Sequence, residues 1–79
     1  METILLVDDE AAIVTTAREI LEGHGFRVLA ALNAEEALRV AAAHAGPIHL
    51  LLTDVVMPGT SGQALARQLT VQQPEMKVL

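Results

Sequence analysis

The sequence predicts one α/β domain built on a parallel sheet, and three observations carry that prediction. Short apolar runs, Ile4 to Val7, Phe26 to Leu32 and Ile48 to Thr53, alternate with segments whose apolar residues recur at helical spacing. Each run is close to continuously apolar, as in strands covered on both faces. The first and third runs end abruptly in acid, at Asp8-Asp9-Glu10 and at Asp54.

The elements follow in order. Ile4 to Val7 is the first strand. From Ala11 to Glu22, Ile13, Ala17, Ile20 and Leu21 recur with helical spacing, and Gly23 and Gly25 supply a stop. Phe26 to Leu32 is the second strand. Asn33 followed by Glu36 is an N-cap with its capping-box acid, opening a helix whose face is Ala37, Leu38, Ala41, Ala42 and Ala45. Gly46-Pro47 ends that helix, and Ile48 to Thr53 is the third strand. Met57 to Gly62 is a loop, with Ser61 as the cap of a helix carrying Leu65, Ala66 and Leu69. Pro74 closes it, and Met76 to Leu79 begins a fourth strand. Strands alternating with helices of this length imply right-handed crossovers and a parallel sheet.

Composition narrows the class. Seventy-nine residues hold one small domain, and with 52% hydrophobic residues and Phe26 as the one aromatic, its core is aliphatic. Cysteine is absent, which excludes disulfides and thiolate metal sites. The net charge of −5 disfavours direct nucleic-acid binding, which runs on Lys and Arg. No apolar stretch reaches the ~18 residues of a membrane span, and Asp8 follows too soon for a signal peptide. A cytoplasmic domain is expected, with no membrane contact.

The carboxylates carry the chemistry. In open α/β sheets, ligands bind beyond the carboxyl ends of the strands, where strand order reverses. If the first and third strands are neighbours and the second lies outside the first, Asp8, Asp9 and Asp54 converge on one pocket. Three such carboxylates cannot all stay ionised without a partner. A hard divalent cation answers that need, and Mg²⁺ fits best. A carboxylate held against Mg²⁺ is a candidate nucleophile toward phosphorus, giving an aspartyl phosphate. Capping of the first helix by Asp9 or Glu10 is the plainer role for those two acids, but it does not explain Asp54. The histidines His24, His44 and His49 are scattered and read as solvated or packing residues. Met57 reads as an apolar loop anchor, and Thr60-Ser61 as capping chemistry.

The stretches "ILLVDDE" and "LLLTDVVMPGTSG" resemble the receiver domain of two-component signalling proteins, in order, spacing and context over the whole chain. The resemblance implies a flavodoxin-like doubly wound sheet of strand order 2-1-3-4-5, with Asp54 as phosphoacceptor. It implies Mg²⁺ held mainly by Asp9, by Asp8 through water, by Asp54, and by the backbone carbonyl of Val56. Met57-Pro58-Gly59 matches the family's loop after the phosphorylation site, and Gly62 its later glycine. The implied donor is a histidine kinase or a histidine phosphotransfer domain. A receiver is not itself a conventional enzyme, although the motifs also resemble receivers attached to hybrid sensor kinases. The family's Ser or Thr at the end of the fourth strand and Lys at the end of the fifth would lie beyond Leu79. Residues 1–79 are thus expected to form a receiver incomplete at its C-terminus, cut at the start of the fourth strand. Ile4, Leu6, Leu50 and Leu52 would then be partly uncovered and self-association favoured.

Two other functions compete. A module of this fold that no longer carries phosphate would serve as an interaction surface. A phosphatase using an aspartyl phosphate would want a second Asp two residues after the nucleophile, where this chain has Val56. A nucleotide or flavin site would want a Gly- or hydroxyl-rich loop after the first strand, where Asp-Asp-Glu stands instead.

Overall fold

The computed structural model of the chain describes residues 2–53 and 62–78. Its elements are β1 (Thr3–Val7), α1 (Ala11–Gly23), β2 (Arg27–Ala31), α2 (Ala34–Ala43), β3 (Leu50–Thr53), α3 (Gly62–Gln72) and β4 (Lys77–Val78). All pairings are parallel and the strand order is β2-β1-β3-β4. The chain therefore forms the doubly wound sheet the sequence predicts, with β1 in the interior and β2 outside it.

Alternation along the strands sorts the core into two layers. Leu5, Val7, Ala31 and Leu51 point to one face, where they pack against Ala34, Ala37 and Ala41 of α2 and Leu65 and Leu69 of α3. Leu6 and Val28 point to the other face and meet Val14, with Ala17 and Leu21 packed beside them. A strand covered on both faces gains nothing from alternating polarity, which is why β1 reads as an unbroken apolar run.

Two expectations need correction here. Ile4 and Leu6 are buried, at 2% and 6% exposure, and Leu6 packs against Val14 of α1. Leu50 and Leu52 are half-buried. In α1 the inward stripe is Val14-Ala17-Leu21, while Ile13 and Ile20 are 47% and 57% exposed. Helical periodicity admits both stripes, since residues 13 and 20 stand one position ahead of 14 and 21. Which stripe faces the sheet is set by packing on Leu6 and Val28. Likewise Ala42 is exposed on α2, and Ala45 lies past the end of the helix.

Helix ends match their sequence signals closely. Asn33 Oδ1 accepts the Glu36 N–H at 2.8 Å, and Glu36 Oε1 reaches back to accept the Leu32 N–H at 2.9 Å. That reciprocal pair satisfies two donors the helix cannot. At the end of α1 the Phe26 N–H donates to Leu21 O at 3.2 Å and the Gly25 N–H to Glu22 O at 3.0 Å. This paired closure requires a left-handed residue at the position just past the helix C-cap, and Gly25, which follows the cap His24, has φ +90°.

Open space surrounds both glycines of this turn, so backbone conformation alone decides a substitution. Gly25→Ala should cost about 1 kcal/mol, because a Cβ disfavours positive φ. Gly23→Ala, at a helical position, should instead add about 0.5–1 kcal/mol. Urea titration of the two variants checks the opposite signs.

Candidate functional site

The acidic end of the sheet is assembled by the pairing of β1 with β3. Ile4 pairs with Leu50, and the register runs on to Val7 opposite Thr53. Asp8 follows Val7 and Asp54 follows Thr53 in sequence, so the two strands deliver the chain to both acids from paired positions. β2 ends opposite Val7 at Ala31, on the far side of β1. The point where strand order reverses therefore lies between β1 and β3, which is where such folds place their ligands.

Asp8 is half-buried. Its backbone N–H donates to Ala31 O at 3.2 Å, extending the β1–β2 ladder by one residue. Its side-chain Oδ1 accepts the Glu10 N–H at 2.9 Å. That short loop fixes the Asp8 carboxylate at the strand end and turns the chain into α1. Asp9, between them, is exposed, and among the described residues its carboxylate has no hydrogen-bond partner. Glu10 takes the N-cap position of α1 without a side-chain capping bond, and the first turn of that helix holds no acid. The capping role for Asp9 and Glu10 thus finds no support in the hydrogen bonding of α1.

Among the described residues no three acidic or histidine side chains stand close enough to hold a metal ion. The set inferred from the sequence needs Asp54, which lies outside the described residues together with Val56, Met57-Pro58-Gly59, Thr60 and Ser61. What the described half offers is two carboxylates, one fixed and one exposed, both hard oxygen donors of the kind Mg²⁺ prefers. The donor chemistry fits that ion.

The histidines stand elsewhere. His24 and His44 are the C-caps of α1 and α2, and His49 precedes β3, all ahead of strand starts and not at the acidic end. Two of them do more than pack. His24 Nδ1 lies 2.9 Å from Ile20 O, and His49 Nδ1 accepts the Thr3 N–H at 2.9 Å. No sequence spacing signals the second bond, whose partners are 46 positions apart.

A doubly wound parallel sheet of strand order β2-β1-β3-β4 defines the flavodoxin-like class of α/β domain, and here its first strand ends in an acidic pair. The chain belongs to the response regulator receiver domain family, whose model matches residues 4–79. Over 77 residues it is 34% identical to the sensor kinase CckA of Brucella abortus, a match covering 98% of this chain and 8% of that one. A receiver domain of Clostridium thermocellum superposes with a TM-score of 0.89 at 33% identity, covering 99% of this chain and 62% of the other. The response regulator TrrA of Thermotoga maritima, solved with Mg²⁺ and beryllium fluoride, gives a TM-score of 0.84 at 35% identity, covering 99% and 66%. TrrA has also been solved in complex with the histidine kinase ThkA, and that form gives a TM-score of 0.81 at the same identity and coverage. The chain thus spans less than a tenth of the sensor kinase and under two thirds of the Clostridium receiver. No helix among the described residues is long and apolar enough to cross a membrane.

Proposed function

We propose that this chain accepts a phosphoryl group on Asp54 from a histidine kinase or a histidine phosphotransfer domain in the cytoplasm. The observation that carries the reading is the β1–β3 register, in which the residues preceding Asp8 and Asp54 are directly paired. The TrrA structures support it: one holds Mg²⁺ and beryllium fluoride, the other a histidine kinase.

In the proposed reaction an Asp54 carboxylate oxygen forms a bond to phosphorus as the donor's N–P bond breaks. The electron pair of that bond returns to the donor imidazole, which takes up a proton from solvent. Mg²⁺, when bound, offsets the charge on the phosphoryl oxygens and allows the neighbouring carboxylates to stay ionised together. Asp9, exposed and without a hydrogen-bond partner among the described residues, would be the main carboxylate to hold it. Asp8, with Oδ1 already held by the Glu10 N–H, would act on the ion through water. Asp54 and the backbone carbonyl of Val56 would supply the protein's remaining oxygen donors.

Titration with Mg²⁺ in a calorimeter tests the metal assignment. Asp9→Asn should weaken binding on the order of tenfold or more, since ligand charge sets affinity for a hard cation. Glu10→Gln should change it by less than about twofold, its side chain being exposed and outside the ligand set. Equal losses in the two variants would mean that the chain attracts the cation with a diffuse acidic surface.

A further inference from the structure

A single peptide group stands between the acidic strand end and the start of α2. Its carbonyl is Ala31 O, which accepts the Asp8 N–H at 3.2 Å. Its N–H belongs to Leu32 and donates to Glu36 Oε1 at 2.9 Å. A trans peptide is planar and carries these two groups on opposite edges, so one rigid plate is gripped from both sides. Tilting it to relieve one bond strains the other. Because β2 is the outermost of the described strands, a side chain serves the Leu32 N–H where a further strand would otherwise stand.

Glu36 is itself fixed in place. Its N–H donates to Asn33 Oδ1 at 2.8 Å, and the Ala37 N–H donates to Asn33 O at 3.0 Å. Ala34 and Ala37 are buried in the larger core cluster, which seats the first turn of α2 against the sheet. In the usual reciprocal cap, the acid at this position takes the N–H of the capping residue itself. Here the cap is Asn33, and Glu36 reaches one residue further back, onto the peptide that anchors Asp8. A hydrogen bond to a carboxylate is roughly twice as strong as one between neutral groups. By polarising the peptide it also makes the carbonyl on the far edge a better acceptor.

Asp8 meets this plate with its backbone. The Glu10 N–H on Oδ1 ties the Asp8 side chain to its own loop, and the bond to Ala31 O ties that loop to β2. We propose that Glu36 is a positioning residue for the acidic site: its carboxylate locks the Ala31–Leu32 peptide and, through it, the backbone that carries the Asp8 carboxylate. The consequence for Mg²⁺ rests on the metal role given to Asp8 above. Glu36 acts on the site through this peptide and not as a ligand, so its contribution depends on an oxygen acceptor at Leu32 and not on its charge near the ion.

Amide NMR spectra of the metal-free chain test the relay before any cation is added. Glu36→Gln keeps an oxygen acceptor but a neutral, weaker one, so the Leu32 and Asp8 amides should both shift from their wild-type positions. Glu36→Ala removes the acceptor, and the Asp8 amide should lose hydrogen-exchange protection by about tenfold or more beyond any change at Leu5, which reports global stability. Asn33→Ala removes the other half of the cap. It should lower the melting temperature yet leave Asp8 protection unchanged relative to Leu5. Calorimetry then reads the consequence for the ion. Mg²⁺ affinity should fall at least about threefold in Glu36→Ala, short of the roughly tenfold loss seen when a direct ligand loses its outer partner, since Asp8 acts through water. It should stay within about twofold of wild type in Glu36→Gln and Asn33→Ala.

An Asp8 amide that stays put while the Leu32 amide shifts in Glu36→Gln would overturn the relay. So would equal losses of Mg²⁺ affinity in Glu36→Ala and Asn33→Ala, which would assign the effect to the cap as a whole. A Glu36→Gln chain as weak toward Mg²⁺ as Glu36→Ala would overturn it too, leaving charge as the cause. A wild-type chain that binds no Mg²⁺ would count against the phosphoacceptor reading instead, and the metal-free amide spectra would still decide the positioning role.

Discussion

Asp54→Asn should abolish labelling of the chain by acetyl phosphate and Mg²⁺, leaving no acid-stable, base-labile phosphate after treatment. An amide lacks the charge that makes a carboxylate oxygen attack phosphorus, and it holds a hard cation poorly. The loss should be complete within detection. Asp9→Asn should slow labelling through weaker Mg²⁺ binding but leave the acceptor intact, so raising the Mg²⁺ concentration should restore part of the rate. That difference separates the nucleophile from its metal ligand. Undiminished labelling of the Asp54→Asn chain would move the acceptor to another residue.

Leu51→Ala should unfold the chain in the absence of denaturant. Leu51 has no exposed surface, pairs with Leu5 in the register of β1 and β3, and belongs to the larger core cluster between the sheet and the face covered by α2 and α3. Removing three methyl-scale groups there costs their transfer energy and leaves a cavity, about 3–5 kcal/mol in comparable cores. With a urea slope of about 1 kcal/mol/M for a domain of this size, the midpoint should fall by about 3 M or more. Small domains have little more than that to lose. Val71→Ala on α3, at 83% exposure, should change stability by less than about 0.5 kcal/mol. A midpoint shift below about 1 M for the Leu51 variant would mean that this core relaxes around the deletion.

The order of elements, the parallel sheet and the acidic strand ends were all legible in the sequence, because each rests on short-range physics. Four or five apolar residues in a row, a capping pair such as Asn33-Glu36, and the glycine pair around His24 each restrict a few consecutive dihedrals. Such restrictions act whatever the rest of the chain does. The motif residues Asp8, Asp9 and Asp54 were visible for a related reason: a carboxylate beside a buried strand is costly enough to demand a use.

Tertiary structure decided what depends on partners distant in sequence. Both Ile13-Ile20 and Val14-Ala17-Leu21 satisfy helical spacing in α1, and only packing on Leu6 and Val28 selected the second stripe. The burial of Leu6 depended on where α1 crosses the sheet, a long-range matter that strand composition does not encode. The bond from Thr3 to His49 is the furthest such case. It joins residues 46 apart through a side chain whose neighbours in sequence give no hint of it, and it exists because the parallel pairing of β1 and β3 brings their first residues together.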